Sequence, residues 1–209
     1  MCIRDRSVTG DVTSNSDCKR IVDTTISEYG RLDTLINNVG ILAPGNVVTL
    51  KETDYDKVMN VNLKSMVLVS KHVIPKMIES GGGSIVNMSS FLGLRSGSIF
   101  ESVPYSVSKG GVVTLTLSMA VQHGRENIRA NCILPGYIYT PMVAPHISEE
   151  TRELRKNGAP LGTEGTAWDI ANAALFLASE DARWVTGLLM PVDAGLLAAS
   201  PLSMLPYLR

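Results

Sequence analysis

The stretch from Ser89 to Lys109 reads S-S-F-L-G-L-R-S-G-S-I-F-E-S-V-P-Y-S-V-S-K and holds serine, tyrosine and lysine in that order. If the segment from Pro104 onward is helical, Tyr105 and Lys109 stand at i and i+4 and share one face. A phenol with an ordinary pKa of about 10 transfers protons poorly at neutral pH, but a nearby ammonium favours the phenolate and lowers that pKa. A serine hydroxyl on the preceding loop can hydrogen-bond a substrate oxygen as charge develops on it. The combination suits proton transfer to or from an alcohol or a carbonyl.

The tyrosine–lysine spacing alone is also typical of an exposed amphipathic helix, so the rest of the chain must decide between these interpretations. The 209 residues can bury one sizeable core, and the composition is 44% hydrophobic and 19% charged with a formal net charge of -1. No basic excess indicates binding to nucleic acid or to an anionic membrane surface. The longest apolar run, 111–121, is shorter than the ~18 residues that a membrane span needs.

The cysteines are Cys2, Cys18 and Cys132, far apart in the sequence and without a C-x-x-C motif or a histidine cluster beside them. We therefore expect no disulfide framework, no metal site and a reducing, cytoplasmic environment.

Apolar runs bounded by glycine, proline and polar residues alternate with stretches of helical periodicity. The runs that predict strands are 7–12, 33–37, 84–88, 128–134 and 188–192. The stretches that predict helices are 13–29, 53–79, 105–123, 148–157 and 166–178. Continuous apolar strands are typical of a parallel sheet covered by helices on both faces. The predicted fold class is therefore α/β with a doubly wound parallel sheet.

Polar and glycine residues follow several of these strands directly. Asp11, Asn38, Ser90 and the pair Pro135-Gly136 each come just after a predicted strand. Because ligands bind beyond the carboxyl ends of the strands in such sheets, we expect these residues to share one rim of the molecule.

Taken in order, these motifs resemble those of the short-chain dehydrogenase/reductase family of NAD(P)-dependent oxidoreductases. The matching pieces are D-V at 11–12, N-N-V-G at 37–40, V-N-L at 61–63, Ser90, Y-S-V-S-K at 105–109, R-A-N-C-I-L-P-G-Y-I-Y-T at 129–140, W-V-T-G at 184–187 and P-V-D-A-G at 191–195. The resemblance runs from about Ser7 to Gly195, and its strength lies in the order and spacing of the pieces. It implies a Rossmann-like domain.

The resemblance implies catalytic roles for four residues. Tyr105 would be the acid–base group, and Lys109 would lower its pKa and hydrogen-bond the nicotinamide ribose. Ser90, rather than Ser89 beside it, would polarise the substrate oxygen. Asn62 would hold a water that relays protons from Lys109, with the alternative that it only caps or kinks its helix.

It also implies where NAD or NADP would bind. Asp11 and Val12 would contact the adenine, and Asn38 and Gly40 would line the ribose region, whereas Asn37 is expected to tie two strands together. The residues that would flank the nicotinamide are Pro135, Gly136, Ile138 and Thr140, the last two reaching its carboxamide.

The Gly-rich turn T-G-x-x-x-G-x-G, which the family carries after its first strand, is absent from these residues. We therefore interpret 7–209 as a single, N-terminally truncated domain that lacks two strands and two helices, preceded by a leader at 1–6 that is not part of it. A chain without that turn is expected to bind NAD(P) poorly. The alternative function is accordingly a catalytically inactive dinucleotide-fold protein that acts as a binding or oligomerisation module.

The favoured function is interconversion of a secondary alcohol and a ketone, with a hydride passing to or from the nicotinamide and a small-molecule alcohol or ketone as substrate. Substrate choice is expected to lie with 91–103 and with 142–161, which is interpreted as a mobile lid whose charged residues are solvated. By resemblance, the helices within 53–79 and 105–123 would pair between subunits to give a homodimer or homotetramer.

Overall fold

The computed structural model describes residues 5–97 and 101–208 of the chain. Helices and strands alternate in this order: α1 (Asn15–Tyr29), β1 (Thr34–Asn37), α2 (Glu52–Met59), α3 (Ser65–Glu79), β2 (Gly83–Met88), α4 (Val103–His123), β3 (Ile128–Pro135), α5 (Glu149–Asn157), α6 (Ala167–Ala178) and β4 (Leu189–Val192). Short 3₁₀ turns lie at Phe91–Gly93, Gly124–Glu126, Ala144–His146, Glu180–Ala182 and Pro201–Tyr207.

Local sequence signals fix the ends of several helices. The Ser14 side chain accepts the Asp17 N–H at 3.3 Å and caps the start of α1. Gly30 ends that helix with φ of 79° and donates its N–H to the Ile26 carbonyl at 2.8 Å, a conformation that glycine adopts without steric cost. α6 begins with a capping box, in which the Thr166 N–H donates to the Asp169 carboxylate at 2.7 Å.

The sheet confirms the predicted fold class. Its four strands are all parallel and stand in the order β1-β2-β3-β4. Alternate residues of the central strands β2 and β3 face opposite layers, so that Ile85 packs with α1 and α3 while Val86 and Ile133 pack with α6. Helices therefore cover both faces, as in a Rossmann-like doubly wound sheet.

The strand predicted at 7–12 is not formed. Instead, the Asp11 carboxylate accepts the Thr13 N–H at 2.8 Å and its hydroxyl at 2.7 Å, which turns the chain into α1. A strand is stable only beside another strand, and no described segment pairs with this one. β1 likewise pairs only with β2, and its Ile36 side chain is 46% exposed.

Most of the segment interpreted as a leader, 1–4, lies outside the described residues. At its end, Arg6 donates to the Glu28 carboxylate of α1 at 2.9 Å.

The long helix predicted at 53–79 is interrupted. A π-helical turn at Asn60–Lys64 separates α2 from α3, and the wider turn brings Asn62 to a fully buried position. The helical run expected over 53–79 is therefore present, and hydrophobic periodicity does not register the extra residue of its π-helical turn.

All four strands run in the same direction, so their carboxyl ends meet at one rim. The residues that follow the strands there are Asn38, Ser89, Gly136 and Asp193. In the part of the chain that the structure describes, none of the helices has the length and apolar character that crossing a membrane would require.

Candidate active site

Tyr105 lies in the first turn of α4, and the start of that helix is held by the loop after β1. The Val103 N–H donates to the Gly45 carbonyl at 2.9 Å, and the Ser102 hydroxyl donates to the Ala43 carbonyl at 2.6 Å. Pro104 suits this first turn because an N–H there has no helical partner. The position of Tyr105 is therefore fixed by the loop after β1.

Lys109 lies one turn further along α4 and is only 3% exposed. Its Nζ donates to the Met88 carbonyl at the end of β2 at 2.7 Å and stands 5.5 Å from the centre of the Tyr105 ring. Burial lowers the pKa of this ammonium to about 8. An ammonium has three donors, so two remain after the bond to Met88.

The pKa of Tyr105 is raised in this structure, the reverse of the lowering expected from Lys109. Burial of the phenol is the largest cause, because it disfavours the phenolate, and a side-chain hydrogen bond with Ser90 opposes it. The Lys109 ammonium donates one hydrogen bond to the Met88 carbonyl, and it lies over the face of the Tyr105 ring. The phenol therefore stays protonated at neutral pH and can act as a proton donor.

The two neighbouring serines point to different partners. Ser90 follows β2, is buried, and accepts the Leu92 N–H at 3.2 Å while its side chain reaches Tyr105. The Ser89 hydroxyl instead donates to the carbonyl of Lys109 at 2.8 Å, inside the protein. Ser90 is thus the serine beside the phenol, and Ser89 fixes the backbone of the lysine.

Asn62 joins the loop after β1 to the start of α4. Its Oδ1 accepts the Ile41 N–H at 2.8 Å, and its Nδ2 donates to the Ile41 carbonyl at 3.0 Å and to the Ser108 Oγ at 3.1 Å. The Ser108 hydroxyl donates in turn to the Tyr105 carbonyl at 2.7 Å. The helix is deformed at Asn62, as the alternative interpretation held, and the same deformation directs its amide into the site.

Gly40 leaves a space next to this network. A Cβ at Gly40 would lie 3.5 Å from the Asn62 Oδ1 and 3.6 Å from the Lys109 Nζ. Asn38 beside it is exposed, whereas Asn37 points inward and donates to the Asn87 Oδ1 at 2.8 Å. Asn37 therefore ties β1 to β2, as expected.

The loop after β3 forms the next part of the rim. Pro135 ends β3, and a Cβ at Gly136 would lie 2.6 Å from the Asp193 Cα, so only glycine permits this close approach of two chain segments. Ile138 forms a bridge with Gly165, and the Thr140 carbonyl accepts the Val143 and Ala144 N–H groups at 2.9 Å. The predicted nicotinamide-flanking residues therefore lie on one continuous loop at the rim.

Asp11 and Val12 stay apart from the catalytic residues. Asp11 engages Thr13 and Asp17 next to α1, and the Val12 carbonyl accepts from Cys18. No described contact joins either residue to Tyr105 or to the loops just described.

Sequence reasoning missed several groups in this region. The Met88 carbonyl and the Ser108 hydroxyl hold the side chains of Lys109 and Asn62, and no residue pattern indicates a backbone acceptor. It also missed Tyr137, whose ring packs edge-on against Phe91 with centres 5.0 Å apart, and Arg155, whose Cζ lies 4.7 Å from the Tyr137 ring centre.

The charged residues of 142–161 are not uniformly solvated, which corrects the sequence-based expectation. Arg152 makes two hydrogen bonds to the Glu164 carboxylate, at 2.7 and 2.6 Å, and stacks 4.0 Å from the Tyr139 ring centre. The helix expected at 148–157 is present as α5, capped by the Ser148 hydroxyl, which accepts the Thr151 N–H at 3.1 Å.

A shallow surface depression of about 470 Å³ opens on the outer side of α4. Its lining residues are Asn46, Ser96, Gly97, Glu101, Ser102, Val103, Ser106 and Val107. Neither Tyr105 nor Lys109 lines it, so we place the candidate site at the rim on the strength of the hydrogen-bonded cluster. Among the described residues, no group of histidine, cysteine and acidic side chains could hold a metal ion.

A family model described as enoyl-(acyl carrier protein) reductase matches residues 3–197 of the chain. A 3-oxoacyl-[acyl-carrier-protein] reductase from Thermotoga maritima is 39% identical over 186 residues, which are 89% of this chain and 74% of that protein. A 7alpha-hydroxysteroid dehydrogenase from Bacteroides fragilis is 38% identical over 199 residues, 94% of this chain and 76% of that protein.

Solved structures agree with these relatives. A short-chain dehydrogenase/reductase from Burkholderia xenovorans superimposes with a TM-score of 0.86 at 38% identity, over 91% of this chain and 73% of that one. A gluconate 5-dehydrogenase from Burkholderia cenocepacia, solved with NADP and tartrate, also has a TM-score of 0.86, at 29% identity, over 91% of this chain and 74% of that one. The order of motifs, the parallel sheet and the extent of these matches agree, and this chain belongs to the short-chain dehydrogenase/reductase family of oxidoreductases.

Proposed function

We propose that this chain interconverts a secondary alcohol and a ketone with NAD or NADP as the hydride carrier. The observation that carries the proposal is the cluster around Tyr105, where the phenol lies beside the Ser90 side chain and its ring lies 5.5 Å from the ammonium of Lys109. The relatives named above are a 3-oxoacyl-[acyl-carrier-protein] reductase and a 7alpha-hydroxysteroid dehydrogenase, which supports the same general reaction.

The residues present fit a nicotinamide cofactor. The space at Gly40 is bordered by the Asn62 amide and by Lys109, which has two donors left for ribose hydroxyls. Asn38 and Gly40 would line the ribose region, and the loop from Pro135 to Thr140 would flank the nicotinamide. When bound, that group supplies the hydride acceptor or donor, and the protein orients it and manages the proton. Asp11 and Val12 are proposed to contact the adenine.

Each polar group of the cluster then has one task. Ser90 donates a hydrogen bond to the substrate oxygen and stabilises the charge that develops there as the carbonyl is reduced. Tyr105 gives its phenolic proton to that oxygen, and its raised pKa keeps the proton on the phenol until negative charge develops on the substrate oxygen. Lys109 stabilises the phenolate that remains, and Asn62 keeps Ile41 and Ser108 in place around it and is proposed to bind a water that returns the proton.

The test is reduction of a panel of ketones by the purified chain, followed by the loss of absorbance of reduced nicotinamide. Tyr105→Phe removes only the phenolic oxygen and is expected to lower kcat by about 10²- to 10⁴-fold, the usual contribution of general acid catalysis. Tyr55→Phe, on α2, is the matched control and is expected to keep full activity. Equal activity of wild type and Tyr105→Phe would refute the assignment.

A second copy of the chain is the proposed partner. Leu117 is 41% exposed and Val121 is 82% exposed on α4, and an apolar helix face of this kind is commonly covered in an oligomer. We propose that α3 and α4 pair between subunits in a homodimer or homotetramer. Light scattering of the purified chain and of Val121→Glu measures the mass directly, and the variant is expected to dissociate.

A further inference from the structure

Arg155 reaches the rim through two aromatic rings. Its guanidinium carbon lies 4.7 Å from the centre of the Tyr137 ring, and that ring meets Phe91 edge-on at 5.0 Å. Tyr137 directly follows Gly136, and Phe91 directly follows Ser90. The two rings therefore connect the cation of α5 to Ser90, which is proposed to hold the substrate oxygen, and to Gly136, which is proposed to flank the nicotinamide.

Among the described residues, Arg155 forms no salt bridge, and Glu164 acts on it only through charge attraction at longer range. Its Nε is buried and has no hydrogen-bond partner among residues 5–97 and 101–208, which is costly for a charged donor. Burial is also the largest effect on its pKa, which is lowered.

The nearby acids are already paired with other cations. Glu164 holds Arg152 at 2.6 Å, Glu149 lies 3.5 Å from the same arginine, and Glu153 lies 3.3 Å from Lys156. Arg155 thus differs from both of its basic neighbours on α5: it is placed against the substrate region, partly desolvated, and has a free donor.

We infer that Arg155 binds a carboxylate carried by the substrate, so that this enzyme prefers oxo acids and hydroxy acids over neutral ketones and alcohols. A planar guanidinium with unpaired N–H groups matches a carboxylate, and the aromatic support of Tyr137 fixes its plane. Because two rings separate Arg155 from Ser90, the carboxylate stands several bonds away from the reacting carbonyl. This inference rests on the proposed function and names the substrate class for it.

The experiment uses methyl ketones of the form CH₃-CO-(CH₂)n-COO⁻, with n rising from one to five, and the methyl ester of each. For each compound, kcat/KM is measured with NADH and NADPH, and dissociation constants of the acids and of the cofactors are measured separately by calorimetry. Arg155→Met removes the guanidinium, and Lys156→Met removes the neighbouring charge, which pairs with Glu153 instead.

We expect at least one acid to be reduced better than its ester by wild type. Arg155→Met should lower kcat/KM for that acid by about 10- to 100-fold, the range for a charge-assisted hydrogen bond, and change the ester less than about twofold. Lys156→Met should change both less than about twofold. The inference is overturned if Arg155→Met lowers kcat/KM for the acid and for the ester equally, or lowers neither. It is also overturned if Arg155→Met weakens cofactor binding and leaves the ratio of kcat/KM for acid and ester unchanged.

The binding measurement separates this inference from the proposed reaction. If no ketone is reduced but an acid binds wild type and binds Arg155→Met at least tenfold more weakly, the carboxylate site stands and the proposed reaction fails. If ketones are reduced and no acid binds through Arg155, the reaction stands and the carboxylate site is refuted.

Discussion

The two sides of the candidate site are built differently. On the inner side, Asn62, Ser89 and Lys109 are buried, and each is hydrogen-bonded to the main chain of another segment. On the outer side, Arg152 and Arg155 stand on a short helix and are held by aromatic rings and a side-chain carboxylate. Main-chain partners are present in any sequence with this fold, whereas side-chain partners change with each substitution.

This difference separates the chemistry from the choice of substrate. The inner side fixes the proton donor and the lysine to the sheet itself, so its geometry is as rigid as β2 and α4. The outer side depends on residues that can be exchanged one at a time without disturbing the sheet. We therefore expect substitutions on the inner side to change kcat or stability strongly and substitutions on the outer side to act weakly on stability.

The largest effect should come from Lys109→Met, which removes the inner cation but keeps an unbranched side chain of similar length. Loss of the ammonium beside Tyr105 is expected to lower kcat/KM by about 10²-fold or more, because the phenolate left after proton transfer is no longer stabilised. Steady-state kinetics measure this effect, and Lys156→Met is the control for loss of one positive charge.

The pH dependence sharpens this first prediction. Burial lowers the pKa of Lys109 to about 8 from its ordinary value of 10.5, so the ammonium is lost as the pH rises through about 8. Activity in ketone reduction should fall above that pH. Stability should move the other way: between pH 8 and 10.5 the unfolded chain still binds the proton that the folded chain has released, so wild type gains stability relative to Lys109→Met. If activity and the stability of wild type relative to Lys109→Met both fell as the pH rises, the assignment of the lowered pKa to Lys109 would be contradicted.

An intermediate effect is expected from Asn62→Ala. It removes three hydrogen bonds and leaves the Ile41 N–H, the Ile41 carbonyl and Ser108 without this buried partner. The free energy of unfolding should fall by about 2–4 kcal/mol, the sum of a small cavity and the unsatisfied polar groups. Denaturant unfolding measures it, and Asn60→Ala, in the same π-helical turn, is expected to have a much smaller effect. Equal losses in the two variants would show that the turn and not the amide matters.

The smallest effect belongs to Glu164→Gln on the outer side. The hydrogen bonds from Arg152 lower the pKa of Glu164, so the pair stabilises the fold above the ordinary carboxyl pKa of 4.5 and that contribution is lost as the pH falls through the lowered value. The variant should have a slightly lower Tm at pH 7 and the same Tm as wild type once the carboxyl is protonated. Glu153→Gln is the control, because Glu153 lies 3.3 Å from its partner Lys156. It should change the Tm less than Glu164→Gln does, both at pH 7 and at the lower pH.

The sequence predicted the strands and the tyrosine–lysine pair of the inner side, because these features follow from patterns among neighbouring residues. The strands at Thr34–Asn37, Gly83–Met88, Ile128–Pro135 and Leu189–Val192 follow apolar runs, and the lysine one turn after Tyr105 follows from helix geometry. The strand expected at 7–12 failed because strand formation depends on a neighbour, which periodicity does not report.

The remaining features depend on segments that are distant in the sequence. Lys109 is held by a backbone carbonyl, and carbonyls carry no residue identity. Phe91, Tyr137 and Arg155 come from three separate loops and helices, so only the folded chain reveals that they touch.

The tight packing of Gly93 against α4 limits how the segment 91–103, which is expected to determine substrate choice, can be redesigned. A Cβ at this glycine would lie 2.8 Å from the carbonyl carbon and oxygen of Lys109 and 2.9 Å from the Ser89 Oγ. Any insertion or larger residue there would displace the catalytic lysine itself. Loop grafting to obtain new substrate specificities should therefore begin after Leu94, where the 3₁₀ turn at Phe91–Gly93 has ended. Residues 89–93 should be kept unchanged.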